Sequence, residues 1–161
     1  MSKPVMIDNP APDFNLETFS SDPISLSAFK GKKNVLLVFN RGFTWPYCRA
    51  HMSQLRDDYS KYVERDTVIL VIGPEGPDSF SRYWRENDLP FIGLPDPRHS
   101  ILKRYGQQIK ILKFGRMPAQ AIIDKLGVVR YIHYGKSMSD IPTTENLLSI
   151  IDSINLNPQS G

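Results

Sequence analysis

The chain has 161 residues, of which 40% are hydrophobic and 23% are charged, and its formal net charge is +3. These values indicate one ordinary globular domain over residues 1–161. No apolar run approaches the roughly 20 residues of a membrane span, and the small charge argues against nucleic-acid binding. A single cysteine excludes an intramolecular disulfide and a cysteine-cluster zinc site.

Strands and helices are predicted in alternation from residue 35 onwards. The apolar run 35–39 predicts a buried strand at about 35–40. Apolar residues then recur at helical spacing and predict a helix at about 46–64: Ala50, Met52, Leu55, Tyr59 and Val63. Residues 67–72 predict a second buried strand. Either Asp78 or Ser79 is expected to cap the helix that follows.

The second half of the chain continues this pattern. Residues 89–92 are expected to be extended, residues 98–105 to form a short helix, and residues 119–124 and 128–134 to form a hairpin. Thr143 or Thr144 should cap a last helix. Residues 1–8 and 156–161 are expected to be frayed. This order predicts an α/β sheet covered on both faces, with a late antiparallel pair.

The only cysteine, Cys48, falls in the first turn of the predicted helix, directly after the strand and a short turn. Unpaired N–H groups and the helix dipole favour an anion there, so we expect the pKa of the thiol to fall. Arg41 and Arg49 lie nearby in the sequence. The alternative is a buried and inert cysteine, because free cysteine is among the most buried residue types.

The segment around Cys48 resembles the thioredoxin-fold superfamily, and within it the peroxiredoxin-like (alkyl hydroperoxide reductase/thiol-specific antioxidant) branch. Many members carry a strand, then Arg-Gly-x-Trp-Cys-Pro-Tyr/Phe-Cys, then a helix. The matching residues are Arg41, Gly42, Pro46, Tyr47 and Cys48. Thr44 stands where the family has Trp, and Trp45 stands where it has the first cysteine. The chain therefore keeps only the second cysteine.

Further segments extend the resemblance over roughly residues 5–155. The opening 9–16, the segment 24–32, the stretch 94–106 and the late segment 117–130 each resemble a family signature in the expected order. The resemblance implies a thioredoxin fold with a peroxiredoxin-like N-terminal extension. Its central mixed sheet would be covered by helices on both faces.

The resemblance also implies the parts of a site around Cys48. Thr44 is the candidate hydroxyl for binding peroxide, since Trp45 stands where peroxiredoxins have Thr or Ser, three residues before their cysteine. Trp45 could pack over Cys48 and restrict access to it. Arg41 or Arg116 could supply the cation, although each could equally be a solvated or structural charge. Arg130 is a further cationic residue.

A substrate groove is expected from Pro46, Tyr47, Met117 and Pro118. The resemblance places a cis Met117–Pro118 bond close to Cys48, whereas the alternative is a proline that simply begins a strand. His51 lies one helical turn beyond Cys48 and could stabilise a thiolate, although an exposed helix histidine is the commoner outcome. Three scattered histidines do not form a metal site, and no cofactor is expected.

Three functions remain open from the sequence. The first is a one-cysteine antioxidant enzyme that reduces hydroperoxides or disulfides through Cys48. It would need an external thiol such as thioredoxin or glutathione, because a resolving step requires a second sulfur. The second is a non-catalytic thioredoxin-fold binding module. The third is a variant of a Cys/Sec-x-x-Cys reductase in which Trp45 occupies the first redox position. A cytoplasmic protein is expected, and family members often form homodimers.

Overall fold

A mixed sheet of five strands forms the centre of the computed structural model, which describes residues 5–106, 109–110, 115–116 and 118–156. Side by side, its strands are β5 (Ile92–Pro95), β4 (Thr67–Gly73), β3 (Asn34–Phe39), β8 (Ala119–Ile123) and β9 (Val129–Tyr134). β3, β4 and β5 are parallel, whereas β8 and β9 run antiparallel to their neighbours. The predicted strands at 35–40 and 67–72 and the late hairpin are confirmed, whereas the extended segment expected at 89–92 becomes a strand only from Ile92 onwards.

Helices and short strand pairs surround this sheet. The helices are α1 (Pro46–Asp57), α2 (Tyr59–Val63), α3 (Pro77–Glu86), α4 (Ser100–Arg104) and α5 (Thr144–Leu156). The short strands are β1 (Asn15–Glu17) with β2 (Pro23–Ser25), and β6 (Ile109–Lys110) with β7 (Gly115–Arg116). A 3₁₀ turn at Leu26–Phe29 leads towards β3.

Alternate side chains of the central strands supply two separate hydrophobic cores, one on each face of the sheet. Leu36 and Val38 of β3 belong to one core, together with residues of α1, α2, α3 and α5. Leu37 and Phe39 belong to the other, together with residues of α4 and the 3₁₀ turn. This period of two is what a strand buried on both faces requires. The expected α/β fold with both faces covered is confirmed.

The helix predicted over 46–64 is broken at Asp58. The buried Asp58 carboxylate accepts hydrogen bonds from the side chains of Gln54, Lys61 and Thr144, and these contacts lower its pKa. Beyond the break Tyr62 is fully buried, whereas Val63 is 48% exposed. The prediction that Val63 continues the apolar face is therefore wrong.

Two other helices begin at residues different from those predicted. α3 begins at Pro77 after Gly76, so the expected cap at Asp78 or Ser79 is wrong. α4 begins at Ser100 because the buried Asp96 carboxylate accepts hydrogen bonds from the backbone N–H groups of its first residues. The predicted start at residue 98 is therefore two residues early.

The predicted cap of the last helix is confirmed, whereas the prediction that Asp8 is frayed is wrong. Thr143 caps α5 by accepting the Asn146 N–H at 3.1 Å, as predicted. Asp8, expected to be frayed, instead donates its N–H to the Val129 carbonyl at 2.7 Å. Residues 1–4 and 157–161 lie outside the described residues. Within the described ranges, no helix has the length and apolar character needed to cross a bilayer.

Candidate active site

The loop between β3 and α1 places Cys48 in the first turn of the helix. β3 ends at Phe39, Trp45 is the N-cap residue, and Pro46 is the first residue of α1. Proline suits this position because its missing N–H would have no helical partner there. The side chain of Trp45 makes no capping hydrogen bond. The strand–turn–helix setting predicted for Cys48 is confirmed.

The Cys48 thiol is buried, with only 4% of the residue exposed. Burial raises its pKa because it penalises the thiolate more than the thiol, and the negative charge of Glu75 acts in the same direction. The backbone N–H groups of Arg41 and Gly42 and the guanidinium of Arg41 favour the thiolate, but they do not compensate. The expectation that the thiol pKa falls is therefore wrong, because burial outweighs the effect of the helix start.

Arg41 is a buried neighbour of this thiol, with 5% of the residue exposed. Its guanidinium carbon lies 3.8 Å from the centroid of the Trp45 ring, a cation–π stack. Trp45 therefore covers Arg41. Gly42 enables this approach: its φ is +145°, and an added Cβ would lie 3.2 Å from Trp45 Cδ1.

Two charged residues and an aromatic ring hold the loop at Phe43, and these contacts are called the bracket around Phe43. The Phe43 N–H donates to the Glu75 carboxylate at 2.6 Å, and Arg49 Nη1 donates to the Phe43 carbonyl at 3.2 Å. The Phe43 ring stacks on Tyr83, with centroids 4.3 Å apart and planes 6° from parallel. The sequence analysis missed Glu75 and Tyr83, because they come from β4–α3 and α3 and are distant in sequence from Cys48.

Three of the expected site residues lie on the outer side of this loop. Thr44, Pro46 and Tyr47 are exposed, and 52% of Tyr47 is accessible. These side chains are therefore positioned to meet a molecule that arrives from solvent, while the thiol lies beneath them.

His51 does not form the expected pair with Cys48. Burial lowers the pKa of His51 to about 4, so its imidazole is neutral near pH 7. The half-buried His51 instead lines a cavity of about 220 Å³ with Tyr47 and residues 141–144. A neutral His51 beside this cavity contributes no positive charge to the thiol.

Pro118 lies at the same end of the sheet as the Cys48 loop. It is buried and directly precedes β8, whose first residue, Ala119, pairs with Phe39 at the end of β3. Its carbonyl accepts the Gly135 N–H at 2.8 Å. Met117 lies outside the described residues, so the geometry of the Met117–Pro118 bond stays a prediction.

The other cationic candidate with a described side chain serves a structural role. Arg130 Nη1 lies 3.1 Å from the buried carboxylate of Asp124, in the hairpin between β8 and β9. The side chain of Arg116 is outside the described part. Within the residues that are described, no cluster of three or more His, Cys, Asp or Glu side chains could hold a metal ion. Arg41 is therefore the cation that the structure brings to Cys48.

Comparison with solved structures supports the fold. A reduced 2-Cys peroxiredoxin of Plasmodium vivax superposes with a TM-score of 0.84 at 22% identity, covering 96% of this chain and 84% of the other. Peroxidoxin BcpB of Mycobacterium tuberculosis gives a TM-score of 0.82 at 17% identity, covering 93% and 98%. At these identities the likeness establishes the thioredoxin-type fold of the peroxiredoxins.

Sequence comparison establishes the family. A chloroplastic peroxiredoxin Q of Triticum aestivum is 32% identical over 124 residues, which are 76% of this chain and 56% of that protein. A putative peroxiredoxin Bcp of Haemophilus influenzae is 31% identical over 103 residues, 64% and 66% of the two chains. The matches thus span less than two thirds of these relatives. Residues 7–132 match the profile of the AhpC/TSA family, and the chain belongs to that family.

Proposed function

We propose that this protein is a thiol-dependent oxidoreductase, a one-cysteine peroxiredoxin-like antioxidant protein that reduces hydroperoxides or disulfides through Cys48. One observation supports this most directly. Against the burial that raises the pKa of Cys48, the guanidinium of Arg41 and the backbone N–H groups of Arg41 and Gly42 favour its thiolate form. Such an arrangement stabilises a thiolate, which is the nucleophilic form of cysteine. Membership of the AhpC/TSA family supports the same chemistry.

In the peroxide reaction, the Cys48 thiolate attacks one oxygen of the O–O bond. An S–O bond forms and the O–O bond breaks, so that the leaving alkoxide or hydroxide takes up a proton and Cys48 becomes a sulfenic acid. A first external thiol then forms a mixed disulfide with Cys48 and releases water. A second external thiol reduces that mixed disulfide and restores Cys48. The external reductant is required because Cys48 is the only cysteine of the chain.

The residues around Cys48 take separate roles in this proposal. Arg41 stabilises the thiolate and the negative charge that develops on the leaving oxygen, and Trp45 holds the guanidinium by stacking. Thr44 is the hydroxyl available to an incoming peroxide from the exposed side of the loop. Pro46, Tyr47 and Pro118 are the described residues of the proposed groove for an extended substrate or the reductant, and Met117, its fourth predicted member, lies outside the described residues.

The burial of Cys48 favours a second candidate, a non-catalytic thioredoxin-fold module that binds a partner through the same groove. A thiol with 4% exposure and a raised pKa is poorly suited to react unless the loop above it opens. The two candidates differ in one property. The enzyme requires a loop that opens at a useful rate, whereas the module does not.

For partners and location, we propose an external thiol such as thioredoxin or glutathione, a homodimer as in many relatives, and a cytoplasmic setting. A single free cysteine fits a reducing compartment. We further propose that residues 1–161 act as one thioredoxin-like domain. The two cores on either side of one sheet support this organisation.

The deciding experiment is stopped-flow oxidation of the reduced protein by hydrogen peroxide and by an organic hydroperoxide, followed by mass spectrometry of Cys48. We expect oxidation to sulfenic acid at a rate that rises with pH, because a raised pKa leaves the thiol mostly protonated at neutral pH. Cys48→Ser should fold normally and lose all turnover. Turnover retained in Cys48→Ser would refute catalysis through Cys48, and an unreactive wild-type thiol would support the module instead of the enzyme.

A further inference from the structure

Glu75 is placed where it acts on both the shape and the charge of the Cys48 site. It lies in the loop between β4 and α3, and one of its carboxylate oxygens accepts the Phe43 N–H at 2.6 Å. The same oxygen would lie 3.6 Å from a Cβ added at Gly42, so the carboxylate rests directly against the segment whose N–H groups face Cys48. Hydrogen bonds from N–H groups to a charged carboxylate are among the stronger ones in proteins.

The contact with Glu75 is one side of the bracket around Phe43. From the other side, Arg49 of α1 donates to the Phe43 carbonyl at 3.2 Å, and the Phe43 ring is stacked on Tyr83 of α3. Both backbone groups of Phe43 and its ring are therefore held at once. Because Arg41 and Gly42 directly precede Phe43, the bracket fixes the direction of the two N–H groups that meet the sulfur.

The charge of Glu75 has the opposite effect on the sulfur. A carboxylate near Cys48 repels a thiolate and so favours the protonated thiol. Several other groups face this sulfur or its surroundings from the elements packed against it: Arg41 from the β3–α1 loop, Tyr83 from α3, and Arg49 and His51 from α1. Among these groups Glu75 is the carboxylate, and its charge opposes that of Arg41.

We propose that Glu75 is a positioning residue: its hydrogen bond from the Phe43 N–H holds the Arg41–Gly42 segment beside Cys48 and places a negative charge against that segment. This inference rests on the proposed function, since it assigns a role in the reaction of Cys48. Its two parts are separable by substitution. Glutamine keeps an oxygen that can accept the Phe43 N–H and loses the charge, whereas alanine loses both.

The test is the rate at which Cys48 reacts with iodoacetamide, measured from pH 6 to pH 10 in the wild type, Glu75→Gln and Glu75→Ala. We expect Glu75→Gln to move the profile to lower pH and to react about threefold faster at pH 7, because more of the thiol is ionised. The melting temperature of Glu75→Gln should stay close to that of the wild type. Glu75→Ala should melt at a lower temperature than Glu75→Gln, since the Phe43 N–H loses its acceptor.

Asp78→Asn is the matched control, because Asp78 is an exposed carboxylate three residues further on, in the first turn of α3. Its alkylation profile should coincide with that of the wild type. An unshifted profile in Glu75→Gln would overturn the electrostatic role, and equal melting temperatures for the Gln and Ala variants would overturn the bracket. Alkylation needs no peroxide, so a failure of turnover in the wild type would refute the proposed function and leave this result intact.

Discussion

At Cys48, burial and charge oppose each other, and burial dominates. The amides of Arg41 and Gly42 and the Arg41 guanidinium favour the thiolate, while desolvation and Glu75 favour the thiol. A thiol with a raised pKa is mostly protonated at neutral pH. As long as the pH stays below that pKa, each unit by which the pH increases raises the thiolate fraction about tenfold. The reactivity of this residue is therefore set by what surrounds the helix start.

The residue that precedes the helix gives a direct test of the site's geometry. Trp45 is the N-cap residue of α1 and Cys48 lies within the same first turn, with Pro46 and Tyr47 between them. We expect Trp45→Cys to form a disulfide with Cys48 on mild oxidation and to gain thiol–disulfide reductase activity. Thiol titration, mass spectrometry and an insulin-reduction assay would measure both effects.

Thr44→Cys is the matched control for that experiment, because it places a thiol in the same exposed loop but outside the x-Pro-Tyr-Cys spacing. It should remain reduced under conditions that oxidise Trp45→Cys. A Trp45→Cys protein that folds but keeps two free thiols would show that residue 45 is no remnant of a redox pair. Cys48 would then act, or bind, as a single cysteine.

The sequence predicts the position of Cys48 but not its protonation. Its place in the first turn follows from local signals: an apolar strand, a short turn with Pro46, and a helical period. Its burial depends on contacts from elsewhere, in which Glu75 binds the loop from β4–α3 and Phe43 stacks on Tyr83 from α3. Such contacts leave no periodic signal in a single sequence.

At the scale of the elements, α3 packs against β5 at a point where only glycine fits. A Cβ added at Gly93 would lie 2.7 Å from Trp84 Cζ2 and 2.9 Å from Phe80 Cδ1. Trp84 is fixed in addition by the hydrogen bond from its Nε1 to the Phe91 carbonyl at 2.7 Å. We expect Gly93→Ala to lower the free energy of unfolding by about 1–3 kcal/mol through overpacking, measured by urea denaturation.

Gly76→Ala serves as the control for the Gly93 prediction. Nothing lies within 4 Å of a Cβ at Gly76, and its φ of −80° is accessible to alanine. Its effect should stay below about 1 kcal/mol, because only the preference of the N-cap position changes. Equal stabilities for Gly93→Ala and Gly76→Ala would mean that α3 shifts freely on the sheet, contrary to the close packing seen here.

Element type is thus readable from the sequence, while several element boundaries are not. The strands at 34–39 and 67–73 follow from their apolar, β-branched composition. The break at Asp58 and the start of α4 follow from buried carboxylates, Asp58 and Asp96, that bind groups elsewhere in the fold. In the sequence such a carboxylate is interpreted as a solvated surface charge. Its burial, and the helix boundary that depends on it, are therefore not predicted.

For the whole molecule, the loop above Cys48 decides whether the thiol can react. Its inner side, with Arg41 and Phe43, is buried, while its outer side, with Thr44, Pro46 and Tyr47, is exposed. The two cores on either side of the sheet do not include the exposed part of this loop. A local opening confined to the exposed part of the loop would therefore leave Phe43 in its core and both faces of the sheet covered.

This arrangement predicts how the alkylation of Cys48 depends on urea. We expect the rate to be nearly independent of urea at low concentration, because a local opening exposes little surface, and to rise steeply only near the unfolding transition. Iodoacetamide kinetics beside circular dichroism would measure both regimes. Glu75→Ala should raise the rate of alkylation at low urea concentration, since it removes the acceptor of the Phe43 N–H and loosens the bracket. A rate that rises from zero urea with the slope of global unfolding would instead mean that the native fold never presents Cys48, and the enzyme proposal would fail in favour of the binding module.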